Sequence, residues 1–397
     1  MSKNWSFLKA LPFNSKILKH IFINIAFCCS VSFSYAQILQ GTVYDSKTRE
    51  ALPGVVIFLD GTSIITTSDN NGKFLLVVEN KINVNLVFRH LSYESLVIEK
   101  PFEHYGEAFF LKEKTNLIRE AVVAADYDPF TRAERIKVFK EFFLGTSVAA
   151  KSCVILNEDD IMIYYDNNTE ILHAFARNPL IVENQYLGYR ITIDIKYFQV
   201  EFTYSKSVSQ SSSAIGSSIT VVQPNSFVAV PSSFSYRINS FFEDISPYSF
   251  AFINRRNQIY ERSREYFWLS FINNSLIKSG FKIYNKSKEI MCPEDYFVVI
   301  DNPIQRTMVV LIKPDTDINR KQNEVLEGNI YGVIGIRVKN KIDSEVIFLT
   351  NRFSVDLFGN ITTNGLIYQG NMAQQRIGDM LPRDFIYTPS KASQRRR

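Results

Sequence analysis

The chain has 397 residues, of which 46% are hydrophobic and 14% aromatic, and a formal charge of +5. That length accommodates two or three domains, and the apolar and aromatic load excludes a disordered chain and favours half-buried sheet surfaces. The charge excludes a nucleic-acid binder: Lys3, Lys9, Lys16 and Lys19 lie in the leading segment and Lys391, Arg395, Arg396 and Arg397 in a tail, leaving the body near −3 where a basic face is required.

Residues 1–36 read as a signal peptide. The four lysines precede a short apolar run over 21–33, and Ser34-Tyr35-Ala36 supplies small residues at the −3 and −1 positions, with Gln37 as the expected mature start. Asn24 interrupts the run, which is too short to span a bilayer comfortably. A lipoprotein would use Cys28 or Cys29, but Phe27 stands where processing wants a small residue. The expectation is an exported protein of the periplasm or the outer membrane and cell surface, soluble or peripherally attached. Two cysteines remain after such processing, Cys153 and Cys292. They lie 139 positions apart, and spacing leaves open whether they form a disulfide.

Residues 37–113 read as seven short strands in a small antiparallel sandwich. The run 38–45 ends at the polar turn Asp45-Ser46-Lys47-Thr48. Pro53-Gly54 marks the next turn before a buried strand over 55–59, and 62–67 is another β-branched run. Asp69-Asn70-Asn71-Gly72 tolerates positive φ and predicts a tight hairpin. Two further strands follow around a kink near His90.

The pattern carried by Gly41, Val43, Asp45, Leu52, Pro53, Gly54, Thr67, Asp69, Gly72 and Phe74 resembles the carboxypeptidase regulatory-like domain. That resemblance implies a transthyretin-type β-sandwich, common at the front of envelope proteins in Bacteroidota-type bacteria. Residues 114–129 read as a linker, and Leu117-Ile118-Arg119-Glu120-Ala121-Val122-Val123 resembles the strand that follows this sandwich in many outer-membrane receptors.

Residues 130–387 read as one larger β-rich α+β domain. Thr131 and Glu134 form a capping box for a helix with Ile136, Phe139, Phe142 and Phe143 on one face, stopped by Gly145. A meander of strands follows, broken at Asp166-Asn167-Asn168 and Asn178-Pro179. The Ser-rich stretch 205–218 reads as an inserted loop. A second long helix is predicted over 255–278, its face carrying Tyr260, Phe267, Trp268, Phe271 and Leu276, with Gly280 at its C′ position. Strands then return, and 374–385 forms a short terminal helix or turn before the basic tail, 388–397. This half resembles the uncharacterised region that follows the same sandwich in one group of those envelope proteins. Where that pattern has Y-x-G-S with a following arginine, this sequence has Tyr260, Arg262, Ser263 and Glu265, and it departs again at Asn371-Met372.

Chemistry is sparse. A zinc carboxypeptidase needs an H-x-x-E pair and a distant third histidine; His104-Tyr105-Gly106-Glu107 is a literal match, but only His90, His104 and His173 follow the leader. No G-x-S-x-G elbow exists. Cys153 lies on a β-prone run and reads as core, while the segment 145–152 lacks the glycine a phosphate loop requires. Asp159-Asp160 and Glu243-Asp244 read as solvated turns. Tyr164, Tyr165, Tyr186, Tyr189, Tyr197 and Phe198 could line a groove but alternate as sheet residues do. No catalytic, cofactor-binding or metal-ligating residue is therefore assigned and no cofactor is expected.

The expectation is a mainly β protein with two or three helices: an N-terminal Ig/transthyretin-like β-sandwich followed by a larger β-rich α+β domain. Its function would be non-enzymatic binding or scaffolding in the cell envelope beside an outer-membrane transport or assembly complex, with envelope proteins as partners. The alternatives are a hydrolase acting on peptide or glycan with its site in the second domain, and a carbohydrate-binding module.

Overall fold

A computed structural model describes residues 37–80, 82–104, 106–114, 130–206, 227–303, 305–314, 330–338, 341–361 and 365–388. The expected signal peptide, the linker beyond Lys114, the Ser-rich insertion beyond Lys206 and the tail beyond Thr388 lie outside the described residues.

Asp45 shows how the opening motif builds structure. Its carboxylate accepts hydrogen bonds from the Lys47 and Thr48 amides at 2.6 and 2.9 Å and from the Tyr93 hydroxyl at 2.8 Å. Those bonds, the Thr48 amide foremost, hold it below the usual carboxylate range. The turn thus fixes the end of β1 (Gln37–Asp45) against β6 (Tyr93–Ile98). The other strands are β2 (Val56–Leu59), β3 (Ile65–Thr67), β4 (Lys73–Val78), β5 (Leu86–His90) and β7 (Ala108–Leu111). They form two sheets, β4-β1-β7 and β3-β2-β5-β6, which enclose Leu39, Val43, Ile57, Phe74, Phe88 and Phe109. Alternation along β4 sends Phe74, Leu76 and Val78 inward and Lys73, Leu75 and Val77 outward. Near His90 the register between β5 and β6 shifts, as the predicted kink requires.

Two details correct the sequence reading. β1 and β7 run parallel, so the sandwich is not purely antiparallel. Residues 69–72 make no hairpin but carry the chain from β3 in one sheet to β4 in the other. Asp69 accepts from the Asn71 and Lys73 amides, each at 2.8 Å. Gly72 has φ +71°, and a Cβ there would lie 2.4 Å from the Val43 carbonyl oxygen, so only glycine fits the corner.

The next unit is a six-stranded sheet under helix α1 (Arg132–Leu144). Both halves of the Thr131–Glu134 capping box are present, and Phe139 and Phe143 pack on Phe198, ring centroids 4.8 and 6.1 Å away. A one-turn helix, α2 (Val148–Lys151), precedes β8 (Cys153–Ile155), β9 (Ile161–Asp166), β10 (Ile171–Ala176), β11 (Leu180–Asn184), β12 (Tyr189–Lys206) and β13 (Phe227–Asp244). The strands do not follow a simple meander: their order is β8-β11-β12-β10-β9, and β13 also pairs with β12. β12 has 18 residues, long enough for β11 to pair with 189–193 and β10 with 198–201 while β13 pairs along its length.

The predicted second helix is two helices, α3 (Phe250–Tyr260) and α4 (Arg264–Ile272). The break comes where the Ser263 side chain accepts the Tyr266 amide and caps a new helix. The face itself is as expected: Tyr260, Phe267, Trp268, Phe271 and Leu276 are all buried. They enter a further core beneath β15-β14-β18-β19-β21 and β16-β17-β20. These strands are β14 (Phe281–Asn285), β15 (Lys288–Ile290), β16 (Phe297–Asn302), β17 (Thr307–Ile312), β18 (Gly332–Val338), β19 (Lys341–Phe348), β20 (Arg352–Asp356) and β21 (Leu366–Gly370). The architecture is mainly β, as the sequence implies.

The sandwich is clamped to the rest of the chain through its 59–63 loop. On one side Gly61 N donates to the Ser240 carbonyl at 2.7 Å and Phe242 N to the Thr62 carbonyl at 2.9 Å. The Asp60 carboxylate accepts from Ser240 N and the Asn239 amide; burial raises its pKa. On the other side Arg383 N donates to the Gly61 carbonyl at 2.8 Å, and the Asp384 carboxylate accepts from Ser63 N and Oγ. Phe58, Val87 and Phe241 form an apolar seam beneath, with the Arg89 guanidinium 4.9 Å from the Phe241 ring centroid.

Candidate functional site

Beside this clamp a cleft of about 380 Å³ opens between β13, the start of α4, the loop after β20, β21 and the segment 375–385. Its walls are set by local folding. Asp356 at the end of β20 accepts from Phe358 N, Asn360 N and the Asn360 side-chain amide, closing a tight loop. Gly359 in that loop has φ +85°, and a Cβ there would sit 1.9 Å from the Glu265 carbonyl oxygen. The loop is therefore pressed directly on the first turn of α4.

That turn supplies Arg264. Its guanidinium lies over the Tyr368 ring, 5.2 Å from the centroid, and its Nε is buried with no hydrogen-bond partner among the described residues. Tyr368 is itself fixed: its hydroxyl accepts from Trp268 Nε1 at 2.7 Å, and burial raises its pKa. Tyr236 comes from β13; burial raises its hydroxyl, while Arg376 and Arg264 oppose that shift. Arg376 donates to the Gln375 and Ala373 carbonyls and lies over the Phe234 ring at 4.2 Å. Burial, aided by the neighbouring Arg264 charge, lowers its pKa. Asp379 accepts the Ser147 hydroxyl at 2.7 Å, and burial raises its carboxyl. The arrangement is a ring-lined recess with Arg264 in its wall and the Arg376 charge acting on Tyr236 from outside the lining. On the other side Glu265 and Asp356 act on Tyr260, whose pKa burial raises.

Residues 39–123 match the family model of the CarboxypepD_reg-like domain. The N-terminal sandwich is a CarboxypepD_reg-like domain. No curated protein matches the chain, and the region beyond the domain has no family match. The CarboxypepD_reg-like domain is a regulatory, non-catalytic module, and the motif residues Asp45, Asp69 and Gly72 serve its turns. The cleft is built from residues outside it.

The structure places the sequence candidates apart. His104 Nδ1 and Glu107 lie 3.0 Å from each other on the surface of the CarboxypepD_reg-like domain. His173, on β10, stacks on Tyr164 at 5.0 Å, and His90 accepts the Ser92 amide. Among the described residues no three His, Cys, Asp or Glu side chains gather as metal ligands. Cys153 and Cys292 are both free thiols; Cys153 donates to the Ala149 carbonyl, and burial pushes its thiol up to about 12. Segment 145–152 contains α2, whose cap Ser147 accepts the Ala150 amide. Asp160 pairs with Asn157 and Asn178, Glu243 lies 3.8 Å from Arg190, and Asp244 is held by Arg256 at 2.6 Å. Of the aromatic set, Tyr165, Tyr189 and Phe198 are core residues, while Tyr197 is exposed and Tyr186 lies under Arg255. They share no groove.

Arg264, Tyr236, Tyr368 and Arg376 were absent from the sequence candidates. One signal pointed toward them: the motif with which the chain partly departs from its resemblance brings Tyr260, Ser263 and the departing Glu265 to the cleft.

Proposed function

We propose that the protein is a non-enzymatic binding or scaffold protein of the cell envelope, acting by contact with envelope proteins at an outer-membrane complex. The observation that carries this reading is how the candidate groups for bond cleavage are engaged. Burial suppresses the Cys153 thiolate, His104 pairs with Glu107, and Asp244 serves Arg256. The lysine-led segment 1–36 supports the compartment. A surface for contact is the outer face of β4-β1-β7, where Ile38, Leu75, Val77 and Phe110 are exposed and Ile38 stands opposite Val77. Cross-linking mass spectrometry on intact envelopes is expected to join Lys73, beside Leu75 on that face, to a second protein. A partner found only through lysines remote from this sheet, or none at all, would contradict the assignment.

One observation favours a second reading, a hydrolase. Asp379, whose carboxyl burial raises, lines the same cleft as Glu265, and two carboxyls in one cleft are the equipment of glycan and peptide cleavage. On the first reading the purified protein cleaves neither peptides nor glycans. Turnover that disappears in Asp379→Asn while the fold is retained would establish the second.

A further inference from the structure

We propose that the cleft beside α4 binds a small organic carboxylate, its oxygens held by Arg264 and the Tyr236 hydroxyl and its apolar body resting on Tyr368, Leu366 and Leu381. A guanidinium presents a rigid fork of N–H donors matched to a carboxylate. Here the Nε of that fork is already desolvated and has no hydrogen-bond partner among the described residues. Arg264 lines the cleft and its guanidinium makes no hydrogen bond or ion pair among the described residues, which leaves its outer nitrogens to take an oxyanion. The Tyr236 hydroxyl likewise has no protein partner among the described residues and faces two guanidinium charges, Arg376 and Arg264.

The acids of the cleft do not neutralise this end. Asp379 is engaged by Ser147 and lies near Arg376, and no ion pair within 4.0 Å joins Arg264 to Glu265 among the described residues. Asp356 has accepted three donors of its own loop. The floor is preorganised: Tyr368 is pinned by Trp268 and its ring already carries the Arg264 guanidinium, so neither needs further ordering. A volume of about 380 Å³ suits a ligand of one ring and a short acidic arm. This inference does not depend on the envelope partner; failure of the cross-linking experiment would leave it standing.

The chain supplies its own reporter. It has two tryptophans, Trp5 and Trp268, so in the full chain carrying Trp5→Phe the tryptophan emission, excited selectively over tyrosine, comes from the cleft alone. Phenylacetate, titrated with fluorescence and calorimetry in parallel, is expected to bind saturably. Phenylacetamide, equal in shape but uncharged, is expected to bind at least about tenfold more weakly, as is phenylacetate to Arg264→Gln. Tyr236→Phe is expected to weaken the acid severalfold and decides the matter should Arg264→Gln fail to fold. Equal affinity for acid and amide overturns the proposal. So does unchanged affinity in either variant, or the absence of any saturable signal for phenylacetate.

Discussion

Arg256→Met is expected to lower the unfolding free energy by about 3 kcal/mol, the low end of the range for breaking a buried charge pair from one side. The guanidinium is 4% exposed and grips Asp244 through two nitrogens, at 2.6 and 2.8 Å. It also donates to the Leu187 and Gly188 carbonyls at 2.7 and 3.0 Å and lies 3.9 Å from the centroid of the Tyr189 ring. One side chain from α3 thus ties the turn before β12 to the end of β13. Its loss strands two carbonyls and a carboxylate together. Asp244 is 28% exposed, so water reclaims part of its cost, which is why the low end applies. Denaturant unfolding of Arg256→Met, Asp244→Asn and the double variant measures the coupling. A coupling below about 0.5 kcal/mol would place the stabilisation in the carbonyl contacts rather than in the ion pair.

Trp268→Ala is expected to cost about 3–5 kcal/mol, the range for emptying a large aromatic site in a packed core. The indole is fully buried and contacts the rings of Phe267, Phe271 and Phe353 at centroid distances of 4.8 to 5.3 Å. Tyr368→Phe removes only the hydroxyl that accepts from the indole and is expected to cost about 1–3 kcal/mol, the penalty for a buried donor left unpaired. Calorimetric comparison of the two variants separates packing from hydrogen bonding. Equal losses would mean that the single polar contact, not the ring cluster, holds this core.

Much of the fold was legible because local chemistry decided it. The capping box at Thr131 and Glu134 and the alternation of β4 are each set by neighbours a few residues away. The break at Ser263 was hidden because the apolar spacing of Tyr260, Phe267 and Trp268 continues across it, so periodicity alone describes one helix. Strand direction was equally hidden: a period of two is the same for the parallel β1–β7 pair as for an antiparallel one. The sharing of β12 between β10 and β11 depends on registers that no local signal encodes. The cleft was the least legible feature. Tyr236, Arg264 and Tyr368 come from a strand, a helix start and another strand, and each reads alone as an ordinary core or surface residue.

The bond between Ser63 and Asp384 spans 321 positions. During synthesis the 59–63 loop emerges long before its second set of partners. Until then Gly61 has one of its two cross-links and Ser63 neither of its bonds to Asp384. The 382–385 segment therefore acts as a latch that engages only once those residues have been made, and a product ending before residue 382 would keep its first module fastened from one side alone.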